Sequence, residues 1–278
     1  FHPELPRNAI QLGADALITS THKALPGYSA SALLIARNQY LNIDRLEQSF
    51  ETTHTTSPAG APLASIDGCR ALLQTRGETL ISNLIKNVTN FKKTVAKEFS
   101  DDVFLNSTHF PIGRFDITKI VLRTNQLGAS GLDVEKAIGK FGLRVEMADL
   151  DTVVFLATLA DNSADFLEMS AILIPVLKNL ASTPRQTATA LSWSVSPVTA
   201  ISMREAYFAE TEIVSAENAL GRVSADLIAP YPPGVAVVAP GEVLTRQIID
   251  GLTELKTTGV RIAYATDSNL TTYRVVKI

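Results

Sequence analysis

A change in the spacing of apolar residues constrains the fold of this 278-residue chain more than any other feature. Across residues 65–99, apolar side chains recur every three or four positions, the spacing of one face of an α-helix. They are Ile81, Leu84, Ile85, Val88, Phe91, Val95 and Phe99. The pattern predicts a long amphipathic helix with Lys86, Lys92 and Lys93 on its wet side. Such a helix suits a connection between a large sheet domain and a smaller domain.

Continuous apolar runs precede this helix, and alternating strands and helices follow it. Residues 16–19 and 31–36 are bounded by turn residues, so they predict strands covered on both faces. Beyond the helix, strands are predicted at 119–123, 143–146 and 152–158, and helices at 132–141 and 164–180. This order predicts a small α/β or α+β domain.

A third region follows residues 181–191, which are rich in Thr, Ala and Ser and predict a linker. Two proline-glycine turns, at 231–234 and 239–242, bracket the apolar residues 235–238, and this arrangement predicts a short strand. The chain is therefore expected to contain three domains, at residues 1–100, 101–183 and 184–278.

Composition excludes several classes of function. A net charge of -3 without a basic block gives no footprint for nucleic acid. The longest apolar runs, such as 153–160, are too short to span a membrane. The single cysteine, Cys69, rules out an intrachain disulfide and favours a cytoplasmic setting. The four histidines lie far apart and show no spacing of metal ligands.

The segment with the clearest chemistry is Ser-Thr-His-Lys-Ala-Leu-Pro-Gly at residues 20–27. It directly follows the first predicted strand, and ligands of α/β sheets collect beyond the carboxyl ends of strands. Lys23, if shielded from water there, would supply a neutral amine that attacks an aldehyde. Neighbouring hydroxyl and imidazole groups could hold a phosphate. Taken alone, the segment also fits a solvated lysine in a loop.

Ser-Thr-His-Lys followed by a Leu-Pro turn resembles the cofactor motif of fold-type-I pyridoxal-phosphate enzymes. Residues 1–6 and 13–15 narrow the resemblance to the ornithine/lysine/arginine decarboxylase family. Two further pairs of motifs agree. They are Thr-Thr-Ser-Pro at 55–58 with Ser-Ile-Asp-Gly at 65–68, and Pro-Tyr-Pro-Pro-Gly at 230–234 with Pro-Gly-Glu at 240–242. The matches follow the family order and cover nearly the whole chain.

The resemblance implies an α/β fold with part of a fold-type-I large domain, a small α/β domain and a C-terminal decarboxylase domain. Lys23 matches the lysine that binds pyridoxal 5'-phosphate covalently, while Ser20 and His22 match residues beside the phosphate. Ser57 matches a residue that reaches the cofactor of a neighbouring subunit, which implies a homodimer or higher oligomer with the active site at the interface. A capping serine on the long helix is the alternative for Ser57.

Glu146 matches a family carboxylate near the distal amine or guanidine of the substrate, and a carboxylate suits such a cation. A solvated glutamate at a strand end is the alternative. The implied activity is decarboxylation of arginine, lysine or ornithine, without a choice among the three. Transamination or lyase chemistry on the same cofactor, and an inactive paralogue or assembly subunit, are the competing interpretations.

The resemblance also concerns residues outside the chain. Family members hold the cofactor's pyridine nitrogen with an aspartate from an Asp-x-Ala-His-type segment immediately upstream of the stretch at 1–6. The expectation is therefore a carboxyl-terminal portion that needs this upstream segment and does not decarboxylate alone. The strands near residues 16 and 31 would then have edges that a partner segment must cover.

Overall fold

The computed structural model describes residues 2–23, 25–37, 39–111, 113–187, 194–231 and 234–277. The chain divides into two compact units. One comprises Phe1–Leu122 and Phe155–Pro175, and the other comprises Arg123–Val154 and Val176–Ile278. Both units combine helices with short strands, which confirms the predicted α/β class. Among the described helices, none is both long and apolar enough to cross a bilayer.

The first unit begins with an antiparallel hairpin of strands β1 (Ala16–Ser20) and β2 (Ala32–Ala36). Both strands lie where the apolar runs predict them. The prediction that both faces are covered is wrong for this chain, since Ile18 is 75% exposed and Ile35 is 43% exposed. A continuous apolar run indicates that a strand requires burial, but it does not identify the segment that provides the cover.

Helix α1 (Ile43–Thr53) and the long helix α2 (Gly60–Ala96) follow the hairpin. Helix α2 confirms the predicted amphipathic helix, because the residues of its apolar face are buried. At its carboxyl-terminal end, Phe91 is 2% exposed and packs its ring against two others. Its ring centroid lies 5.9 Å from that of Phe104 and 6.0 Å from that of Phe166. These three rings pack together in the core of the first unit.

The polar side of α2 differs from the prediction at one position. Lys86 and Lys93 are exposed as expected, but Lys92 is partly buried. Its ammonium group donates a hydrogen bond to the carbonyl of Lys119 at 2.5 Å and lies 5.3 Å from the ring centroid of Phe115. Periodicity places a residue on a helix face but does not show what chain packs over that face, so this contact could not be predicted.

The pKa of Lys92 is lowered from 10.5 to about 8, because burial disfavours the ammonium form more than the charge of Asp116 favours it. Between about pH 8 and pH 10.5 the unfolded chain therefore binds more protons at Lys92 than the folded chain does. Stability consequently rises with pH across this window, and below about pH 8 the contribution of Lys92 stays constant because both states carry the proton. With allowance for solvent screening, we expect a gain of about 1–2 kcal/mol in the free energy of unfolding.

Urea unfolding between pH 7 and pH 10 measures this gain. The variant Lys92→Met should lose the rise, whereas Lys93→Met, which removes an exposed lysine from the next position of the same helix, should keep it. Parallel pH curves for the wild type and Lys92→Met would show that the burial of Lys92 has no such effect.

Strands β3 (Lys119–Arg123), β5 (Thr152–Leu156) and β4 (Met147–Ala148) form a three-stranded sheet in that order. Helices α3 (Gly131–Gly139) and α4 (Ser163–Leu180) confirm the two predicted helices, and the Ser130 side chain caps α3 by accepting from the amide of Leu132. The strand predicted at 143–146 is wrong. The strand beside β5 consists of Met147 and Ala148, and it ends at the turn where the carboxylate of Asp149 accepts from the amide of Thr152.

The rest of the second unit contains three short helices and four strands among its described residues. The helices are α5 (Met203–Phe208), α6 (Ala216–Ala219) and α7 (Arg246–Thr257). The strands are β6 (Thr211–Ser215), β7 (Ala229–Tyr231), β8 (Arg261–Ala263) and β9 (Thr272–Val276). β6 pairs antiparallel with β9, and β7 pairs antiparallel with β8. Helix α7 contributes Ile248, Ile249 and Leu252 to a buried apolar cluster.

The strand predicted at 235–238 is wrong, because Val238 forms only an isolated bridge to Ile228. The flanking turns are present at Gly234 and Gly241, whose φ angles of 85° and 93° lie in the left-handed region. Pro232 and Pro233 lie outside the described residues. The predicted linker is described only up to residue 187, and Arg185 within it forms an ion pair with Asp151.

Candidate functional site

The predicted cofactor lysine lies in the loop that joins β1 to β2. Strand β1 ends at Ser20, and Lys23 follows three residues later with an exposed side chain. The structure therefore contradicts the expectation that Lys23 is shielded from water within this chain. It leaves the amine accessible to a ligand.

Two buried hydroxyl residues close the base of this loop. Thr21 is 1% exposed and Ser31 is 4% exposed. Their hydroxyl oxygens lie 2.5 Å apart, and the amide of Thr21 donates to the carbonyl of Ser31 at 3.1 Å. Within the loop, the amide of Gly27 donates to the carbonyl of Thr21 at 2.9 Å. A Cβ at Gly27 would lie 2.6 Å from that carbonyl oxygen, so the loop requires glycine there.

The two predicted phosphate-binding residues flank the buried Thr21. Ser20 is the last residue of β1 and is partly exposed. His22 Nδ1 donates a hydrogen bond of 2.8 Å to the carbonyl oxygen of Ser31. This bond fixes the orientation of the imidazole ring. Ser20, His22 and Lys23 thus present a hydroxyl, an imidazole and an amine from four consecutive positions. Thr21 and Ser31, which hold that loop, were missed because their pairing depends on the hairpin register.

A cavity of about 690 Å³ lies beside the loop in the first unit, a volume typical of small-molecule sites. The loop contributes Thr21 and Leu25 to its wall, and α2 contributes mainly apolar residues together with Asp67 and Arg70. Arg70 Nε donates to Asp67 Oδ1 at 2.7 Å, and both side chains are largely exposed. Lys23 itself does not line this cavity, so the cavity extends the site on the side of α2.

Ser57 lies in the segment between α1 and α2, and its side chain is exposed. The backbone amide of Ser57 donates a hydrogen bond to the hydroxyl of Thr55 at 3.2 Å. The N-cap of α2 is Ala59, without a side-chain cap, so the alternative of a capping serine is wrong. The exposed hydroxyl of Ser57 stays available for another group.

Glu146 lies in the second unit, immediately before β4. Its amide donates to the carbonyl of Val154 at 2.9 Å, while its side chain is exposed. That placement agrees with a glutamate at the end of a strand. It also leaves the carboxylate accessible to a cation.

Two family profiles match the chain. The profile described as "Orn/Lys/Arg decarboxylase, major domain" matches residues 1–112, and the one described as "Orn/Lys/Arg decarboxylase, C-terminal domain" matches residues 184–262. Together they cover more than half of the chain in the expected order. The chain belongs to the Orn/Lys/Arg decarboxylase family.

Individual relatives agree with this assignment. An arginine decarboxylase of Bacillus anthracis is 30% identical over 286 residues, covering 100% of this chain and 57% of the relative. An arginine decarboxylase of Bacillus subtilis is 29% identical over 285 residues, again covering 100% of this chain and 57% of the relative. The chain therefore spans somewhat more than half the length of these relatives.

The fold has a solved counterpart. Lysine decarboxylase A from Pseudomonas aeruginosa superimposes with a TM-score of 0.75 at 19% sequence identity. The superposition covers 94% of this chain and 49% of that structure. At this identity the likeness establishes the fold alone.

Proposed function

We propose that the protein decarboxylates arginine, lysine or ornithine to the corresponding amine with pyridoxal 5'-phosphate as cofactor. The observation that carries the proposal is the loop after β1, where Ser20, His22 and the exposed Lys23 follow one another around a closed base. Membership of the Orn/Lys/Arg decarboxylase family supports the assignment of this loop to the cofactor.

The side chains of the loop fit the cofactor's two functional groups. Lys23 supplies an amine that can bind an aldehyde covalently. Ser20 and His22 offer a hydroxyl donor and an imidazole to a phosphate, and the bond from His22 to Ser31 holds the ring in place. When bound, pyridoxal phosphate supplies an electron sink for the electron pair that the departing carbon dioxide leaves behind.

Two residues outside the loop have proposed roles toward substrate and partner. Glu146 would accept the distal ammonium or guanidinium of the substrate, because a carboxylate forms charge-assisted hydrogen bonds to such groups. Ser57 would reach the phosphate bound by a second copy of the protein. The proposed active form is therefore a homodimer or larger homo-oligomer with the site at the interface.

Two further features of the proposal depend on the sequence. The single Cys69 suits the reducing cytoplasm, where we place the enzyme. The division into domains at 1–100, 101–183 and 184–278 stays a prediction.

Product analysis tests the proposed reaction. The protein is incubated with pyridoxal phosphate and, separately, with arginine, lysine and ornithine. We expect carbon dioxide together with agmatine or a diamine from at least one of the three. A keto acid would instead identify transamination, and the absence of cofactor binding would identify an inactive paralogue or assembly subunit.

A further inference from the structure

A second, smaller cavity adjoins the Lys23 loop within the first unit. Its volume is about 250 Å³. Ser20, three residues before Lys23, and Leu25, two residues after it, both contribute to the wall. Residues that precede and follow Lys23 in the loop therefore both border this cavity. The start of β3, where Lys119 lies, also contributes to the wall.

Ser20 and Lys119 both line this cavity, and each carries a hydrogen-bond donor. Among the described residues, the Ser20 hydroxyl has no hydrogen-bond partner. The described ionic neighbour of the Lys119 ammonium is Asp116, whose Oδ2 lies 3.7 Å away and therefore beyond hydrogen-bonding distance. Lys119 is 40% exposed in its side chain, so this ion pair is weak. A hydroxyl and an ammonium with free donors in one small cavity suit an oxyanion.

Asp116 also lines the cavity, and its carboxylate would oppose an anion. Its Oδ1 is already engaged, since it accepts from the amide of Thr118 at 3.0 Å and from the Thr118 hydroxyl at 2.6 Å. The ammonium of Lys92 acts electrostatically on the same carboxylate. The carboxylate of Asp116 therefore has two lysines near it, of which Lys119 lines the cavity.

We propose that Lys119 and Ser20 form an oxyanion-binding site that serves the Lys23 loop. This inference rests on the proposed function, which provides two oxyanions at that loop. One is the phosphate of the cofactor, and the other is the α-carboxylate of the amino acid. Resemblance to the family assigns a phosphate contact to Ser20 but assigns nothing to Lys119.

Substitution of Lys119 tests the site. Lys119→Met removes the ammonium but keeps a long, partly exposed side chain, so the fold should survive. Lys119→Arg keeps a positive charge and should retain binding. Lys93→Met removes an exposed lysine of α2 that does not line the cavity, and it controls for the loss of one charge. Circular dichroism checks that each variant is folded.

Binding is measured with two matched pairs of ligands. Pyridoxal phosphate and pyridoxal differ only in the phosphate, and arginine and agmatine differ only in the carboxylate. Dissociation constants for the first pair come from titration of the apoprotein by absorbance. Those for the second pair come from the absorbance change of the holoprotein, recorded by stopped flow before arginine is turned over to agmatine. A charge-assisted hydrogen bond corresponds to a factor of about ten or more in affinity.

Selective weakening supports the inference. If Lys119→Met binds pyridoxal phosphate about tenfold more weakly but pyridoxal as before, the oxyanion is the phosphate. If it binds arginine about tenfold more weakly but agmatine as before, the oxyanion is the substrate carboxylate. In either case Lys119→Arg should recover most of the affinity, and Lys93→Met should match the wild type.

Two outcomes overturn the inference. In the first, all four affinities of Lys119→Met stay within about twofold of the wild type. In the second, all four affinities fall by the same factor. Neither result would depend on whether the ligand carries an oxyanion. Borohydride labelling of wild-type Lys23 separates this failure from failure of the proposed function. A labelled Lys23 with unselective affinities overturns only the role of Lys119, whereas an unlabelled Lys23 overturns both.

Discussion

Replacing Lys23 with alanine is expected to abolish both covalent retention of pyridoxal phosphate and release of carbon dioxide. The variant retains the hydroxyl of Ser20 and the imidazole of His22, but it has no amine to bind the aldehyde. We expect turnover to fall by more than about a hundredfold, the range observed when an enzyme loses a side chain that takes part in the chemistry. The measurements are carbon dioxide release and the absorbance of the bound cofactor.

Lys93→Ala provides the matched control for this experiment. It removes another exposed lysine from the same unit without touching the loop after β1, so turnover and cofactor absorbance should match the wild type. If Lys23→Ala kept the absorbance of the covalently bound cofactor, another residue would hold the aldehyde. The assignment of Lys23 would then be wrong.

Replacing Phe91 with alanine is expected to destabilise the protein more than any single change near the loop. Phe91 is 2% exposed and packs against the rings of Phe104 and Phe166. Its removal leaves a cavity in a core that close-packed neighbours cannot fill, at a cost of about 3–5 kcal/mol in the free energy of unfolding. Urea or thermal unfolding measures the change.

Phe141→Ala is the corresponding control on an exposed phenylalanine. Its side chain is 65% exposed, so we expect a change within about 0.5 kcal/mol. Equal effects of the two substitutions would contradict the packing of Phe91 between its two aromatic neighbours.

Periodicity predicted the elements whose signal is long or bounded by clear turn residues. Helix α2 and helix α4 lie where their apolar spacing places them, and β1 and β2 coincide with their apolar runs. These elements are determined by local pattern. The strand predicted at 143–146 was wrong because its apolar alternation matched a strand, whereas the strand that pairs with β5 consists of Met147 and Ala148.

Burial depended on contacts that no local pattern reveals. Lys92 lies on the polar side of α2, yet its ammonium group donates a hydrogen bond to the carbonyl of Lys119, 27 residues away in the sequence. Ile18 belongs to an apolar run, yet it is exposed. In both cases burial depends on which part of the chain packs over the residue. The spacing of residues along one helix or strand carries no information about that packing.

The candidate site was predictable where its residues are consecutive. Ser20, His22 and Lys23 form one motif after one strand, and the structure places them in one loop. Lys119 was not predictable, because it joins Ser20 only through the folding of the chain around a shared cavity. Ser57 and Glu146 were found through resemblance to the family, and their proposed roles await the binding and product assays.

The most direct measurement is borohydride reduction of the holoprotein followed by mapping of the labelled peptide. The reduction makes a bond between an amine and the cofactor's aldehyde permanent, so it marks the residue that holds the cofactor. We expect one labelled peptide, with the label on Lys23. A label on any other lysine, or no label in a protein that has bound pyridoxal phosphate, would contradict the account.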